Sequence, residues 1–306
     1  MAVWWCAEAG CSPKWRFNYR NSILSTMAEV DHPQFSEYRQ SVKEYYNRMN
    51  RLILDNIGYS YQAATLIHYK EDPYRETNEF VAKKMGIKSG SCLLDAGCGT
   101  CGPAIDIVNF TETTRISAVT LSLEQAKIGH RLVQEKGLSD HIQVYVCDFH
   151  ELPFPDNTFD GIYFLESSGY SYSLERLYSE VYRVLRPGGF VYDKGVFKHN
   201  RELTEIEAEA LAIFDRIYVF KTQTMEHHVS ALMQQRFRVE FANDMSHVFN
   251  QSLITKAKIQ HDENGQPIIA DGKPLRTEFG KYHVNRLGRH VPVYFGDIKA
   301  VKSPVV

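Results

Sequence analysis

The sequence predicts an α/β domain of the doubly wound kind, on two observations. Between residues 92 and 196, short apolar runs alternate with amphipathic stretches of helical period. The first apolar run also passes directly into a glycine-rich turn. Alternation at this spacing makes βαβ units, whose parallel strands must be covered by helices on both faces.

The elements follow from local pattern. In residues 33–61 Tyr38, Val42, Tyr45, Tyr46, Met49, Leu52 and Ile53 recur at three- and four-residue spacings, an amphipathic helix. A second helix is expected from Tyr74 to Met85, stopped by Gly86. Strands are expected at Cys92–Asp95, Ile116–Leu121, Gln143–Cys147, Gly161–Leu165 and Phe190–Val196, with helices at Pro103–Phe110, Leu123–Lys136 and Leu174–Leu185. Leu203–Phe220 reads as one long helix where a cap would leave the sheet. Arg238–Met245 and Tyr294–Val301 read as closing strands, separated by a helix and by DENGQPIIADGKP, whose Asn-Gly and Asp-Gly pairs predict a surface hairpin. The expected divisions are an extension over 1–32, a helical lid over 33–72, the α/β core over 73–200, cap helices over 201–237 and closing strands over 238–306.

Composition excludes several classes. A chain of 306 residues allows one large domain, or one with a cap, at roughly 150 residues per domain. With 43% hydrophobic and 24% charged residues it is no disordered or collagenous chain. Lys and Arg total 35 against 37 Asp and Glu, so no basic field draws in nucleic acid. Cys6, Cys11, Cys92, Cys98, Cys101 and Cys147 lack paired zinc-ligand spacings apart from Cys98-x-x-Cys101, which sits in the glycine-rich turn; free thiols in a reducing compartment are expected. The start carries Lys14, Arg16 and Arg20 through its middle, and nowhere do 18 apolar residues run together. A cytoplasmic protein without a membrane span is the expectation.

The chemistry concentrates in CLLDAGCGTCG, residues 92–102, where Gly97, Gly99 and Gly102 give the spacing G-x-G-x-x-G. Glycines allow a sharp turn and a close ligand, and the helix that follows offers free N–H groups. Asp95, just before the first glycine, would repel a pyrophosphate and suits a ligand with a positive amino group; a plain helix cap is the other reading. The next strand ends Val119-Thr120-Leu121-Ser122 and lacks the acid that a dinucleotide-binding unit places on the ribose. Cys147-Asp148-Phe149 closes the third strand, where an Asp can accept from an adenine amino group.

Together DAGCGTCG, VCDFHELPFPDNTFDGIY and EVYRVLRPGGF resemble the class I S-adenosylmethionine-dependent methyltransferases over about residues 75–200. The resemblance implies a Rossmann-like sheet of seven strands with the last antiparallel, an N-terminal helical lid and a cap insertion. It implies S-adenosyl-L-methionine as cofactor, with Asp95, Gly97 and Gly99 at the methionine end, Thr120, Leu121 and Gln125 near the ribose, and Asp148 with Phe149 framing the adenine.

Strand four ends Tyr163-Phe164-Leu165-Glu166, placing Glu166 at the edge of the sheet where open α/β sheets bind ligands. A carboxylate among Tyr163, Phe164, Tyr170 and Tyr172 suits an alkene acceptor, whose methylation leaves a carbocation for aromatic faces to stabilise and a base to deprotonate. The alternative is a Glu that caps the next helix or pairs with a Lys or Arg. The segment AVTLSLEQ and the Glu-Ser pair are similar to geranyl diphosphate and related isoprenoid C-methyltransferases. That resemblance implies Glu166 as base and cofactor-side neighbour, and Mg²⁺ with an N-terminal polar set for a diphosphate, here Asn47, Arg48 and Arg51. Tyr46, Asn47, Arg51, Tyr170, Phe214, Tyr218 and His227 are the candidate acceptor residues, with Asn47 the candidate metal contact. Against each stands a plain reading: Tyr45, Tyr46, Phe214, Tyr218 and Phe220 as core, His227 and His228 as solvated, and Arg286, Arg289 and His290 as a surface turn. The acceptor expected is a small apolar or prenylated molecule, with O- or N-methylation, or tocopherol- or sterol-type C-methylation, as alternatives. The long N-terminal arm makes a homo-oligomer the expectation.

Overall fold

The computed structural model describes residues 33–56, 58–112, 114–250, 269–270, 273–274 and 291–303. The sheet strands are β1 (Cys92–Ala96), β2 (Arg115–Thr120), β3 (Ile142–Val146), β4 (Phe159–Leu165), β5 (Leu185–Lys198), β6 (Phe237–Asp244) and β7 (Val293–Lys302). They lie side by side in the order β3-β2-β1-β4-β5-β7-β6. β3, β2, β1, β4 and β5 are parallel, whereas β7 runs antiparallel between β5 and β6. The doubly wound class with an antiparallel last strand is therefore present. Its seven helices among the described residues are α1 (Pro33–Asn56), α2 (Pro73–Met85), α3 (Gly102–Thr111), α4 (Leu123–Glu135), α5 (Leu174–Val184), α6 (Glu205–Tyr218) and α7 (Met225–Gln234).

Alternation along each strand sorts the core into two layers. Leu94, Ala96, Ile162, Phe164, Val191 and Phe197 pack on one face with α5 and α7. Leu93, Tyr163, Leu165 and Tyr192 pack on the other with α2 and α3. A strand buried on both faces reads as a continuous apolar run, which is why these strands were legible.

Helix ends follow local chemistry. Asp72 caps α2 by accepting from the amides of Tyr74 and Arg75, and Ser122 and Ser173 cap α4 and α5 in the same way. The first helix is shorter than its periodicity predicts: Gly58, at φ 90°, donates its N–H to the carbonyls of Ile53 and Leu54 and turns the chain out. The run that follows is an extended strap, residues 59–66, and Thr65–Leu66 pairs antiparallel with Phe249–Asn250. The expected long helix over 203–220 likewise contracts to α6, started by a Thr204–Glu207 capping box and ended by Val219 in the left-handed region.

Of residues 201–237, α6 packs Leu211, Phe214 and Tyr218 against Tyr45 and Tyr46 of α1. α7 instead inserts Met225, Ala231 and Leu232 beneath the sheet. This corrects one expectation: His228, read as solvated, is buried because the amphipathic face of α7 points inward. Its Nδ1 lies 2.8 Å from the Tyr178 hydroxyl and 3.5 Å from Asp193, and burial holds it neutral with a pKa of about 3. Ile269–Ala270 and Lys273–Pro274 pair antiparallel within the stretch where a hairpin was expected. The helix expected before it, the N-terminal extension and Arg286, Arg289 and His290 lie outside the described residues. No helix among the described residues is long and apolar enough to cross a membrane.

The strap lies on the start of α3 so closely that a Cβ on Gly102 would run into the Tyr59 carbonyl. Gly102→Ala is expected to destabilise the protein by about 1–3 kcal/mol, the usual range for overpacking, read as a lowered midpoint in denaturant unfolding.

Candidate active site

The site forms where β1, β2, β3 and β4 end together at the carboxyl edge of the sheet. β1 delivers Asp95 into the interior at 2% exposure, and the chain then turns through Gly97 and Gly99, both at positive φ. A Cβ on Gly97 would collide with Ser167, so this turn requires glycine. Asp95 is no helix cap: α3 is capped by Cys101 without a side-chain bond. Burial pushes the Asp95 carboxyl up to about 7 against the influence of the Tyr163 hydroxyl, and its Oδ2 has no hydrogen-bond partner.

Two further buried polar atoms stand unpartnered along the same edge. After β2, Thr120 Oγ1 donates to Gln125 Oε1 at 2.7 Å, which leaves Gln125 Nε2 free, beside the half-buried Leu121. After β3, Asp148 Oδ1 accepts from the His150 amide and ring Nδ1 at 2.9 and 2.7 Å, while Oδ2 has no hydrogen bond, Arg39 of α1 standing 3.8 Å away. Burial raises the Asp148 carboxyl, but the bonds and charge of His150 and then Arg39 outweigh it and hold Asp148 below the usual range. Phe149 is buried next to it. Buried polar groups seldom go unpaired without a reason. An ammonium acceptor at Asp95, a donor at Gln125 and an amine acceptor at Asp148, in one row beside a glycine turn, fit an amino-acid nucleoside such as S-adenosylmethionine.

Glu166 corrects the expectation of a base open to the acceptor. Its carboxylate accepts from the amides of Ala63 and Ala64 at 2.7 and 3.1 Å and from Lys194 Nζ at 2.6 Å. The pairing alternative is the one realised. Lys194 is completely buried, and its other two bonds go to the Ala64 carbonyl and Gln62 Oε1, both at 2.8 Å. Burial lowers the Lys194 pKa and the Glu166 charge opposes that fall. The pair thus fastens the strap to the ends of β4 and β5, setting the Tyr61 ring against Gly99.

The acceptor candidates divide. Tyr46 and Tyr170 meet edge-on at 5.2 Å, Tyr170 lies 4.4 Å from Phe220, and Phe214 and Tyr218 follow at 5.8 and 6.4 Å from Phe220. Tyr61 closes on Tyr46 at 6.2 Å. These rings make a continuous aromatic wall between α1, α6 and the sheet edge. Asn47 instead accepts from the Ser122 hydroxyl at 2.7 Å and docks α1 on α4. Arg51 points to solvent with its side chain 95% exposed, near Asp55 on the same helix. His227 is exposed on α7 and pairs with Gln223. Neither Arg51 nor His227 joins the wall. Sequence reasoning missed Lys194 and the strap, although a Lys-containing Asp193-Lys194 pair inside an otherwise apolar central strand was the available signal.

Two outcomes test this geometry. Asp95→Asn should weaken S-adenosylhomocysteine binding by about ten- to a hundredfold, the worth of a charged hydrogen bond at about 1.5–3 kcal/mol. In the native protein calorimetry should show affinity falling below about pH 7, as Asp95 takes up its proton, and the variant should lose that dependence. Because the folded-state value lies above 3.8, stability of the ligand-free protein attributable to Asp95 falls as pH rises from there to about 7. Glu166→Gln, which strands a buried ammonium, should cost about 3–5 kcal/mol in unfolding free energy. Adding Lys194→Met should recover part of that loss.

Comparison with known proteins agrees with this geometry. A family model described as a methyltransferase domain matches residues 94–192. The chain is 30% identical over 230 residues to a sterol 24-C-methyltransferase of Gibberella zeae, covering 68% of this chain and 56% of that one. It is 35% identical over 164 residues to the sterol 24-C-methyltransferase of Pneumocystis carinii, covering 51% and 42%. The chain thus spans about half the length of the curated relatives it matches. Among solved structures it is similar in fold to the [4+2]-cyclase SpnF (TM-score 0.69, 20% identity, 87% and 97% covered). It is equally similar to a geranyl diphosphate methyltransferase bound to its substrate and sinefungin (TM-score 0.69, 19% identity, 87% and 99% covered). With the glycine turn, the row of unpaired polar atoms and the sheet order in place, residues 94–192 are a methyltransferase domain, built on the class I S-adenosylmethionine-dependent methyltransferase fold.

Proposed function

We propose that this chain transfers a methyl group from S-adenosylmethionine to a carbon–carbon double bond of an apolar, unphosphorylated isoprenoid of sterol type. The observation that carries the reading is the aromatic wall of Tyr46, Tyr61, Tyr170, Phe214, Tyr218 and Phe220 beside the cofactor edge. When bound, the cofactor supplies an electrophilic methyl on a sulfonium. Asp95, Gln125 and Asp148 would hold it, and the strap and α1 would exclude water from the reacting centre. Positioning of this kind lowers a displacement barrier by roughly 7–11 kcal/mol without a base.

An alkene attacking that methyl becomes a carbocation, and ring faces stabilise a cation by about 2 kcal/mol or more in a dry site. Burial pushes the Tyr46 and Tyr170 hydroxyls upward, so both stay protonated and uncharged. A hydroxyl that receives the proton the cation must lose would pass its own proton on towards solvent, acting as a relay and staying neutral, since Glu166 is engaged with Lys194. Glu166 is in this reading a positioning residue.

A diphosphate acceptor is less well served. Of the residues expected to hold it, Asn47 is used on Ser122 and Arg51 faces solvent. Among the described residues no group of three His, Cys, Asp or Glu side chains converges for a metal. The curated relatives named above are sterol methyltransferases.

The experiment is mass-spectrometric product analysis of the protein with S-adenosylmethionine and sterols bearing a side-chain double bond, in parallel with prenyl diphosphates with and without Mg²⁺. A gain of one CH₂ on sterol carbon without Mg²⁺ is expected; a product on a diphosphate alone, or on oxygen or nitrogen, overturns the reading. Tyr170→Phe, which removes one hydroxyl of the relay, should lower turnover by about a hundredfold, within the range of side-chain proton transfer, while S-adenosylhomocysteine binding is retained.

A further inference from the structure

The glycine-rich turn holds two thiols that cofactor binding does not use. Cys98 and Cys101 are buried with their Sγ atoms 3.9 Å apart. The Cys101 amide donates to the Cys98 carbonyl at 2.9 Å, closing a β-turn over Gly99 and Thr100. Such a turn keeps its end Cα atoms within about 7 Å. The window that a disulfide accepts, about 4.4–6.8 Å, lies inside that limit. Both residues are free cysteines.

Joining them would disturb the cofactor turn. The sulfurs must close from 3.9 Å to about 2.05 Å. Cys98 is anchored, its amide donating to the Val119 carbonyl at 2.9 Å. The Cys101 sulfur is seated against α4, where a Cβ on Gly129 would fall 2.8 Å from it. Cys101 also holds a left-handed φ of 68°, unusual for a side-chain-bearing residue. With the Cys98 backbone and the Cys101 sulfur held, closure falls on the cysteine side-chain torsions and on Gly99, Thr100 and the first turn of α3, at the candidate cofactor edge.

We propose that Cys98 and Cys101 form an oxidisable dithiol whose disulfide weakens S-adenosylmethionine binding at the same turn, an inference that rests on the cofactor reading above. The oxidant is a disulfide of the glutathione class. One thiolate attacks it and releases one reduced glutathione; the second attacks the mixed disulfide and releases another. The dithiol loses two electrons and two protons, and both appear on the two glutathione thiols. Coupling is reciprocal, so a ligand that prefers the reduced turn must also protect it from oxidation.

The full chain is equilibrated in glutathione buffers of graded oxidised-to-reduced ratio, with and without S-adenosylhomocysteine. Alkylation and mass spectrometry then assign each cysteine, and calorimetry gives the affinity of each form. A Cys98–Cys101 disulfide, an affinity at least tenfold lower and its recovery with dithiothreitol are expected. Saturating S-adenosylhomocysteine should raise the midpoint potential by about 30 mV for each tenfold difference in affinity, as a two-electron couple requires. Cys101→Ser should keep its own affinity unchanged through oxidation. The proposal is overturned if both cysteines stay alkylatable at the most oxidising ratio, if the disulfide changes affinity less than twofold, or if Cys101→Ser loses affinity on oxidation as the native protein does. A reduced chain that fails to bind S-adenosylhomocysteine overturns the cofactor reading itself.

Discussion

The buried pair of Lys194 and Glu166 organises the working edge of this protein. A buried ammonium with no counter-charge is too costly to leave in the sheet, so its three bonds to Glu166, Gln62 and the Ala64 carbonyl must all be made together. Making them draws the strap across the ends of β4 and β5, and with it Tyr61 over the glycine turn. Gln62 in turn accepts nothing further from the sheet but donates to Asn78 on α2, which reaches Asp106 on α3, so the strap, two helices and two strands share one polar network. Such networks are worth most when complete.

The candidate cofactor edge is built by the opposite device. There Asp95 Oδ2, Gln125 Nε2 and Asp148 Oδ2 have no hydrogen-bond partner, all three at the ends of neighbouring strands. Their desolvation is a cost in the free protein that a ligand with the matching amine and hydroxyl groups would relieve. The His150 ring shows how far the neighbouring groups are arranged for this. With its Nδ1 on Asp148 and its Nε2 on the Ser171 hydroxyl, it orients one oxygen of Asp148 and leaves the other. Tyr172 stacks on that ring at 3.7 Å and Phe35 of α1 stacks on Tyr172 at 4.5 Å, so α1 rests on the same residues.

Much of the fold was legible because each strand of the parallel sheet is buried on both faces and reads as a continuous apolar run, bounded by the residues that turn the chain. The candidate cofactor edge was legible for a related reason: a turn that admits only glycine, an acid at a strand end and Asp148-Phe149 after β3 are local features. His228 was not, because a second histidine and Glu226 precede it in sequence while its neighbours in space are Tyr178, Phe197 and Asp193. Nor was the end of α1, where one glycine overrode a helical period that continues beyond it.

Taken alone, the sequence determined the fold class and the positions of the strands, since these depend on periodicity and on backbone turns set by neighbouring residues. Only the tertiary structure decided what Glu166 does and which aromatic residues face one another. Glu166 meets a lysine 28 positions away and two amides about a hundred positions away, and Tyr46, Tyr170 and Phe220 come from three separate segments. No local pattern encodes such meetings. They follow from the way α1, the strap and α6 close over the sheet edge, and from the need of a buried charge to find its partner wherever the fold has placed it.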